Sequence, residues 1–143
     1  MSLFDRPAVR QIDVGLALLR VIAGVIFFAH GYQKVFTFGF AGVAGFFGQM
    51  GVPMPGFTGP AIGTLEVVGG LALILGLLTR IFGFLLACDM LGAILFVHAK
   101  AGFFMPNGME LVLALCGMAA TLAIAGGGGF SADTALSRRR NGT

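Results

Sequence analysis

The sequence predicts an all-α membrane protein, a bundle of four transmembrane helices with both termini in the cytoplasm. Three observations carry that reading. Hydrophobic residues make up 57% of the 143-residue chain and charged residues only 10%, against roughly 25% charged in an ordinary soluble domain. Mean hydropathy is +0.97. The apolar residues gather into four long runs separated by glycine, proline and charge. Lipid admits only helices and closed barrels, and these runs lack the alternation of a barrel strand.

The runs cover residues 14–36, 59–78, 81–97 and 109–125. A spanning helix needs roughly 17–25 apolar residues, so all four qualify, the last two being short. Asp5 and Pro7 suit the start of the first helix, and Thr58 with Pro60 the start of the second. Leu78-Thr79-Arg80 reads as a tight turn that makes the second and third helices antiparallel neighbours. Pro106-Asn107-Gly108 breaks the chain before the fourth helix, and the glycines at 126–129 end it. The first run contains Arg20 and lacks a small-x-small cleavage site, so it reads as a span and not as a cleaved leader.

Residues 38–55, FGFAGVAGFFGQMGVPMP, are too long for a simple turn and too rich in glycine for a spanning helix. Residues 40–50 read as a short helix that lies at the interface or re-enters the outer leaflet, with a plain surface loop as the alternative. The organisation is then a cytoplasmic N-terminal segment (1–13), a four-helix transmembrane domain (14–126) and a cytoplasmic basic tail (127–143).

Basic residues set the orientation. With the N-terminus inside, the cytoplasmic side holds Arg6, Arg10, Arg80, Arg138, Arg139 and Arg140, and the outer side only Lys34 and Lys100. This distribution explains the net charge of +3 as a topology signal. No basic stripe interleaves with aromatics, so no nucleic-acid partner is expected. The chain reads as a multi-pass protein of a bacterial-type inner (plasma) membrane.

Ionisable side chains inside a membrane are costly and usually face the bundle interior. At 1.5 Å per residue, His30, His98 and Glu110 fall at a common depth of roughly 24–26 Å from the cytoplasmic edge, with Gln33 and Lys34 just beyond and Glu66 at about 18 Å. Every helix thus contributes a polar group to the outer half. The expected site is an outward-facing polar pocket of His30, Gln33, Lys34, Glu66, His98 and Glu110. Plainer readings stand beside it. Asn107-x-x-Glu110 has the form of a capping box; the histidines suit the headgroup zone, and Lys34 and Lys100 can snorkel. Glu66 has no such local explanation.

A deeper layer holds Arg20 and Asp89, at roughly 9 and 12 Å. They are expected to form a structural intramembrane ion pair, with Arg20 turning toward Glu66 as the alternative. Asp89 and His98, nine residues apart, point in opposite directions on an ideal helix. Gly24 and Gly31 on the first helix, and Gly59, Gly63, Gly69, Gly70 and Gly76 on the second, offer faces for close approach.

Cys88 and Cys116 sit in apolar runs without metal or redox spacing and read as buried small hydrophobes. No metal site is expected. The dinucleotide fingerprint, the P-loop and the serine-nucleophile elbow are absent from the sequence. The two histidines at like depth suit a polar lining better than haem ligation. Catalysis would need a borrowed cofactor such as a quinone, or a soluble partner.

Arg20 with His30-Gly31-Tyr32-Gln33-Lys34, Glu66-x-x-Gly69-Gly70 and Gly76-Leu77-Leu78-Thr79-Arg80 resembles the DoxX family. So do Asp89-Met90 with His98, and Gly102-Phe103 with Asn107-Gly108-x-Glu110, in order over residues 16–129. The resemblance implies four spanning helices. It also implies a membrane subunit linked to thiosulfate:quinone oxidoreductase and terminal quinol oxidase, or to oxidative-stress complexes with soluble redox enzymes, or to quinone resistance. Carried over, its site residues are Arg20, His30, Gln33, Lys34, Glu66, Asp89, His98 and Glu110. The expected function is a redox-associated subunit that binds a quinone-like molecule in the outer pocket. A small-molecule transporter, which four spans would support only as a homo-oligomer, and a scaffold for soluble enzymes are the alternatives.

Overall fold

The computed structural model describes residues 8–142, and among these every regular element is helical. Helix α1 (Val9–Tyr32) runs through a wide π turn (Gln33–Phe38) into α2 (Gly39–Gln49). Then come α3 (Pro55–Leu75) and α4 (Thr79–Ala93), the latter extended by a π turn (Ile94–His98) and a short 3₁₀ turn (Ala99–Ala101). Helix α5 (Glu110–Ala125) and a terminal helix α6 (Ala132–Arg140) complete the chain. The helix start expected at Asp5 and Pro7 lies outside the described residues.

Three helical runs are long and apolar enough to cross a membrane: Val9–Gln49, Pro55–Leu75 and Thr79–Ala101. The apolar α5 is shorter, at 16 residues, about 24 Å of helix. The outside of the bundle agrees with a lipid setting. Leu18 is 59% exposed, Phe84 62% and Ile124 77%, a surface that water would penalise and hydrocarbon does not.

Helices α1 and α3 pack antiparallel along glycines. A Cβ placed on Gly31 would lie 2.5 Å from Val67 N, and one on Gly70 would lie 2.5 Å from Phe28 N. Only hydrogen fits at these crossings, so the backbones touch as the small-residue faces predict. Gly83 does the same for α4 against Ala119 and Ala123 of α5. Between these pairs Ala23, Phe27, Leu73, Leu86, Leu115, Ala119 and Leu122 form the core.

The helix boundaries refine the expected ones. α3 starts at Pro55, not at Thr58–Pro60, because Met54 takes a left-handed conformation (φ 47°) that sets the entry. Thr58 instead donates its hydroxyl to the carbonyls of Pro53 and Met54, both at 3.1 Å. Residues 39–49 are a helix and not a loop, and the non-helical backbone of Gly39 (φ 71°, ψ 163°) redirects the chain at its start. Within the basic tail, α6 has an N-cap at Ser131, whose hydroxyl oxygen accepts the Thr134 N–H at 3.3 Å. Asp133 in its first turn and Arg138–Arg140 in its last complement the helix dipole.

The tail is docked. Asp133 accepts the N–H groups of Leu78 (2.7 Å) and Thr79 (2.9 Å), satisfying donors that the start of α4 leaves open. Asp13 accepts the Gly129 N–H at 2.7 Å. The beginning of α1, the α3–α4 turn and the tail therefore share one end of the bundle.

Candidate functional site

At the opposite end lies a cavity of about 1050 Å³, bounded by α1 and its π turn, α2, α3, the end of α4 and the start of α5. Its wall is mostly aromatic and aliphatic, with Phe27, Phe38, Phe46, Phe47, Phe96 and Leu115 among the lining side chains. His30, Gln33, Lys34, Glu66, Asp89 and His98 also line it. Five of the six residues expected in one pocket thus share this cavity, and Asp89 joins them.

The centre of the polar wall is an ion pair. Lys34 Nζ donates to Glu66 Oε2 at 2.6 Å, with Glu66 2% exposed and Lys34 23%. The small residues that bring α1 against α3 place this pair. A Cβ on Gly63 would lie 3.3 Å from the Lys34 Cβ, so a larger residue there would crowd the lysine stem. Burying Glu66 is tolerable because its charge is met across the helix crossing.

Asp89 departs from its expected role. It does not pair with Arg20. It lies in the field of both Glu66 and Lys34, and its buried Oδ2 has no hydrogen-bond partner. Arg20 turns the other way: Nη1 donates to the carbonyls of Leu73 (3.2 Å) and Ile74 (2.5 Å), and Nη2 to that of Phe130 (2.6 Å). The physical reason is the C-terminus of α3. Its last turn leaves carbonyls without intrahelical donors at the negative end of the helix dipole, and the arginine stem is long enough to reach them. Similar depth did not mean contact.

Asp89 and His98 line one cavity, against the expectation from an ideal helix. The π turn at Ile94–His98 absorbs an extra residue, which rotates the residues after it by roughly 100° and brings His98 inward. The Nδ1 of His98 donates to the Asn107 carbonyl at 3.0 Å, and that of His30 to the Ile26 carbonyl at 2.9 Å. A carbonyl can only accept, so each ring carries its proton on Nδ1. In the neutral form Nε2 is therefore an acceptor.

Glu110 stands apart. It is not among the cavity's lining residues; Oε1 accepts the Met105 N–H at 2.8 Å. It braces the 102–108 loop, but the N–H it holds is that of Met105 and not that of Asn107, as a capping box would require. Cys88 also differs from expectation, being exposed and lining the cavity. The aromatic wall from α2 was not singled out from sequence, although Phe46 and Phe47 within a glycine-rich segment were its visible trace.

The DoxX family model matches residues 15–99. The chain is 43% identical over 94 residues to a Bacillus subtilis (strain 168) protein named "Putative oxidoreductase CatD", covering 66% of this chain and 67% of that one. It is 34% identical over 134 residues to the inner membrane protein YqjF of Escherichia coli (strain K12), covering 89% and 95%. An uncharacterized membrane protein of Mycobacterium tuberculosis is 35% identical over 101 residues, covering 71% and 60%. No solved structure matches the chain. With its apolar helices, the chain is a multi-pass protein of the bacterial inner membrane type. By the extent of the matched segment and by these relatives, it belongs to the DoxX family.

Proposed function

We propose that the chain crosses the membrane four times, with α5 as the fourth span, and keeps both ends in the cytoplasm. Its cavity then opens toward the outer half of the bilayer, roofed by α2 as an interfacial or re-entrant helix. There it binds a quinone- or quinol-type ring as the membrane subunit of a redox system. The basic residues Arg80 and Arg138–Arg140 support the orientation, since they gather at the end of the bundle away from the cavity.

The observation that carries the ligand class is one polar wall in an otherwise aromatic and aliphatic cavity. The volume suits a ring with part of an isoprenoid tail, being just above the roughly 300–1000 Å³ usual for small-molecule sites. The acceptor Nε2 atoms of neutral His30 and His98 suit the hydroxyls of a quinol. Gln33 and Lys34 bring N–H donors for the carbonyls of the oxidised ring, and Asp89 Oδ2 is an unused acceptor. When bound, such a ring supplies two-electron, two-proton exchange. The protein's own share is to orient it, exclude water and take up protons at the histidines and carboxyls. The name of the Bacillus relative belongs to the same reaction class.

The test is mass spectrometry of small molecules retained by gently extracted protein, compared with Glu66→Gln. Retained quinone that is lost or diminished in the variant supports the reading. An empty wild-type protein that also shows no saturable thermal stabilisation by a short-chain quinone would overturn it.

A further inference from the structure

The Gly76-Leu77-Leu78-Thr79-Arg80 turn and the tail take no part in the ring site, yet they enclose a second cleft of about 580 Å³ at the other end of the bundle. The geometry points to a binding site for a phosphate group in this cleft, carried by the headgroup of an acidic phospholipid.

Charge is the first argument. Arg80 and Arg138 line the cleft, and among the described residues neither is in an ion pair. The Arg80 guanidinium lies along the glycine loop, 3.2 Å from where a Cβ of Gly126 would be. Asp13 and Asp133 also border the cleft, but their carboxylates are held by the backbone N–H groups of Gly129, Leu78 and Thr79. The carboxylates keep their charge but are turned to the backbone, whereas the two guanidinium groups have no ion-pair partner among the described residues and carry N–H forks that match phosphate oxygens.

Thr79 is the second, independent argument. It is fully buried, lines the cleft, and its Oγ1 has no hydrogen-bond partner. Buried hydroxyls are ordinarily satisfied, so an orphan one signals an absent partner. A Cβ on Gly127 would come within 2.8 Å of this hydroxyl. Gly127 packs against the hydroxyl without offering it a hydrogen-bond acceptor, so its partner must come from the cleft that Thr79 lines.

Depth selects the source of the phosphate. Thr79 opens the apolar run Thr79–Ala101, and the polar helix α6 lies over it. The cleft therefore sits where hydrocarbon gives way to headgroups. Arginines at that level attract anionic lipid.

The experiment is native mass spectrometry of the full chain from nanodiscs holding phosphatidylglycerol and phosphatidylcholine in equal amounts. The wild type is expected to retain phosphatidylglycerol preferentially. Arg80→Gln and Arg138→Gln are each expected to reduce that preference about fivefold, the equivalent of one arginine at a membrane surface. Thr79→Val, which removes the hydroxyl and keeps the shape and charge, should reduce it as well. Arg139→Gln removes the same charge from a residue outside the cleft and should leave it unchanged. Equal retention of both lipids, or an Arg139→Gln loss matching that of Arg80→Gln, overturns the site in favour of diffuse surface attraction. Inorganic phosphate titrated into protein in phosphatidylcholine alone separates the sources. Stabilisation that Arg80→Gln abolishes would assign the cleft to free phosphate and overturn the lipid assignment. No stabilisation there, with phosphatidylglycerol preferred, supports the headgroup. The ring-site variant Glu66→Gln is expected to leave lipid preference intact, so the two sites fail independently.

Discussion

Lys34 and Glu66 meet at 2.6 Å across the α1–α3 crossing, and their burial is unequal: Glu66 is 2% exposed, Lys34 23%. The two halves of the pair are therefore not interchangeable. Lys34→Met strands a buried carboxylate and is expected to cost about 3–5 kcal/mol, the usual cost of breaking a buried pair. Glu66→Gln leaves a lysine that reaches the cavity and should cost less. The double variant Lys34→Met/Glu66→Leu should recover much of the loss. Thermal unfolding in one detergent, run as a double-mutant cycle, reads all three. Equal losses for the two single variants would contradict the asymmetry.

Arg20 grips three backbone carbonyls from two segments and not Asp89. Hydrogen bonds from a charged donor contribute about 1.5–3 kcal/mol, so Arg20→Met should lower stability by at least that much. Arg20→Lys should recover only part, because an ammonium cannot span Ile74 and Phe130 with one planar fork. Arg20→Met and Asp89→Asn should add within about 0.5 kcal/mol. A coupling well above that would restore the ion pair.

A glycine in a helix crossing and one facing open space should respond oppositely. Gly31→Ala places a methyl 2.5 Å from Val67 N and should destabilise by about 1–3 kcal/mol through separation of α1 and α3. Gly117→Ala meets nothing within 4 Å on α5 and should be neutral or stabilising by up to about 1 kcal/mol. Midpoints of thermal unfolding for the two variants decide the matter.

Cys88 lines the cavity whereas Cys116 is half-buried, with its Sγ 3.6 Å from the Ala87 carbonyl. N-ethylmaleimide should label Cys88 first. A fully substituted quinone, which has no free ring position for a thiol to attack, should slow that labelling if it occupies the cavity. Unchanged labelling at saturating quinone would count against the ring site and leave the fold untouched.

Much of this arrangement was legible from side-chain type and spacing. The apolar runs located the helices, the glycines of α1 and α3 located their crossing, and placing the polar groups in the outer half anticipated that His30, Lys34, Glu66 and His98 share one cavity, although Glu110, at the depth of the two histidines, does not line it. Depth failed where a long side chain could choose its direction. Arg20 and Asp89 lie at similar levels, yet the open carbonyls ending α3 attract the guanidinium away from the carboxylate. Ideal-helix geometry failed at His98, because nothing in Ile-Leu-Phe-Val-His announces the wide turn that rotates it. Glu110 acts locally, but not as the capping box its Asn107 spacing suggested: α5 begins at Glu110 itself, and the carboxylate accepts the Met105 N–H. The docking of α6 was hidden for another reason. Residues 127–143 read only as a basic tail, and the role of Asp133 depends on a turn 55 residues earlier.

That separation bears on how the protein is made. A ribosome translates Leu78 when Asp133 is still 55 residues away. The leading amides of α4 can therefore be closed by Asp133 only after α5 has also been made. A chain stopped at Phe130 would contain every apolar helix of the described residues and still lack the residue that finishes one of them.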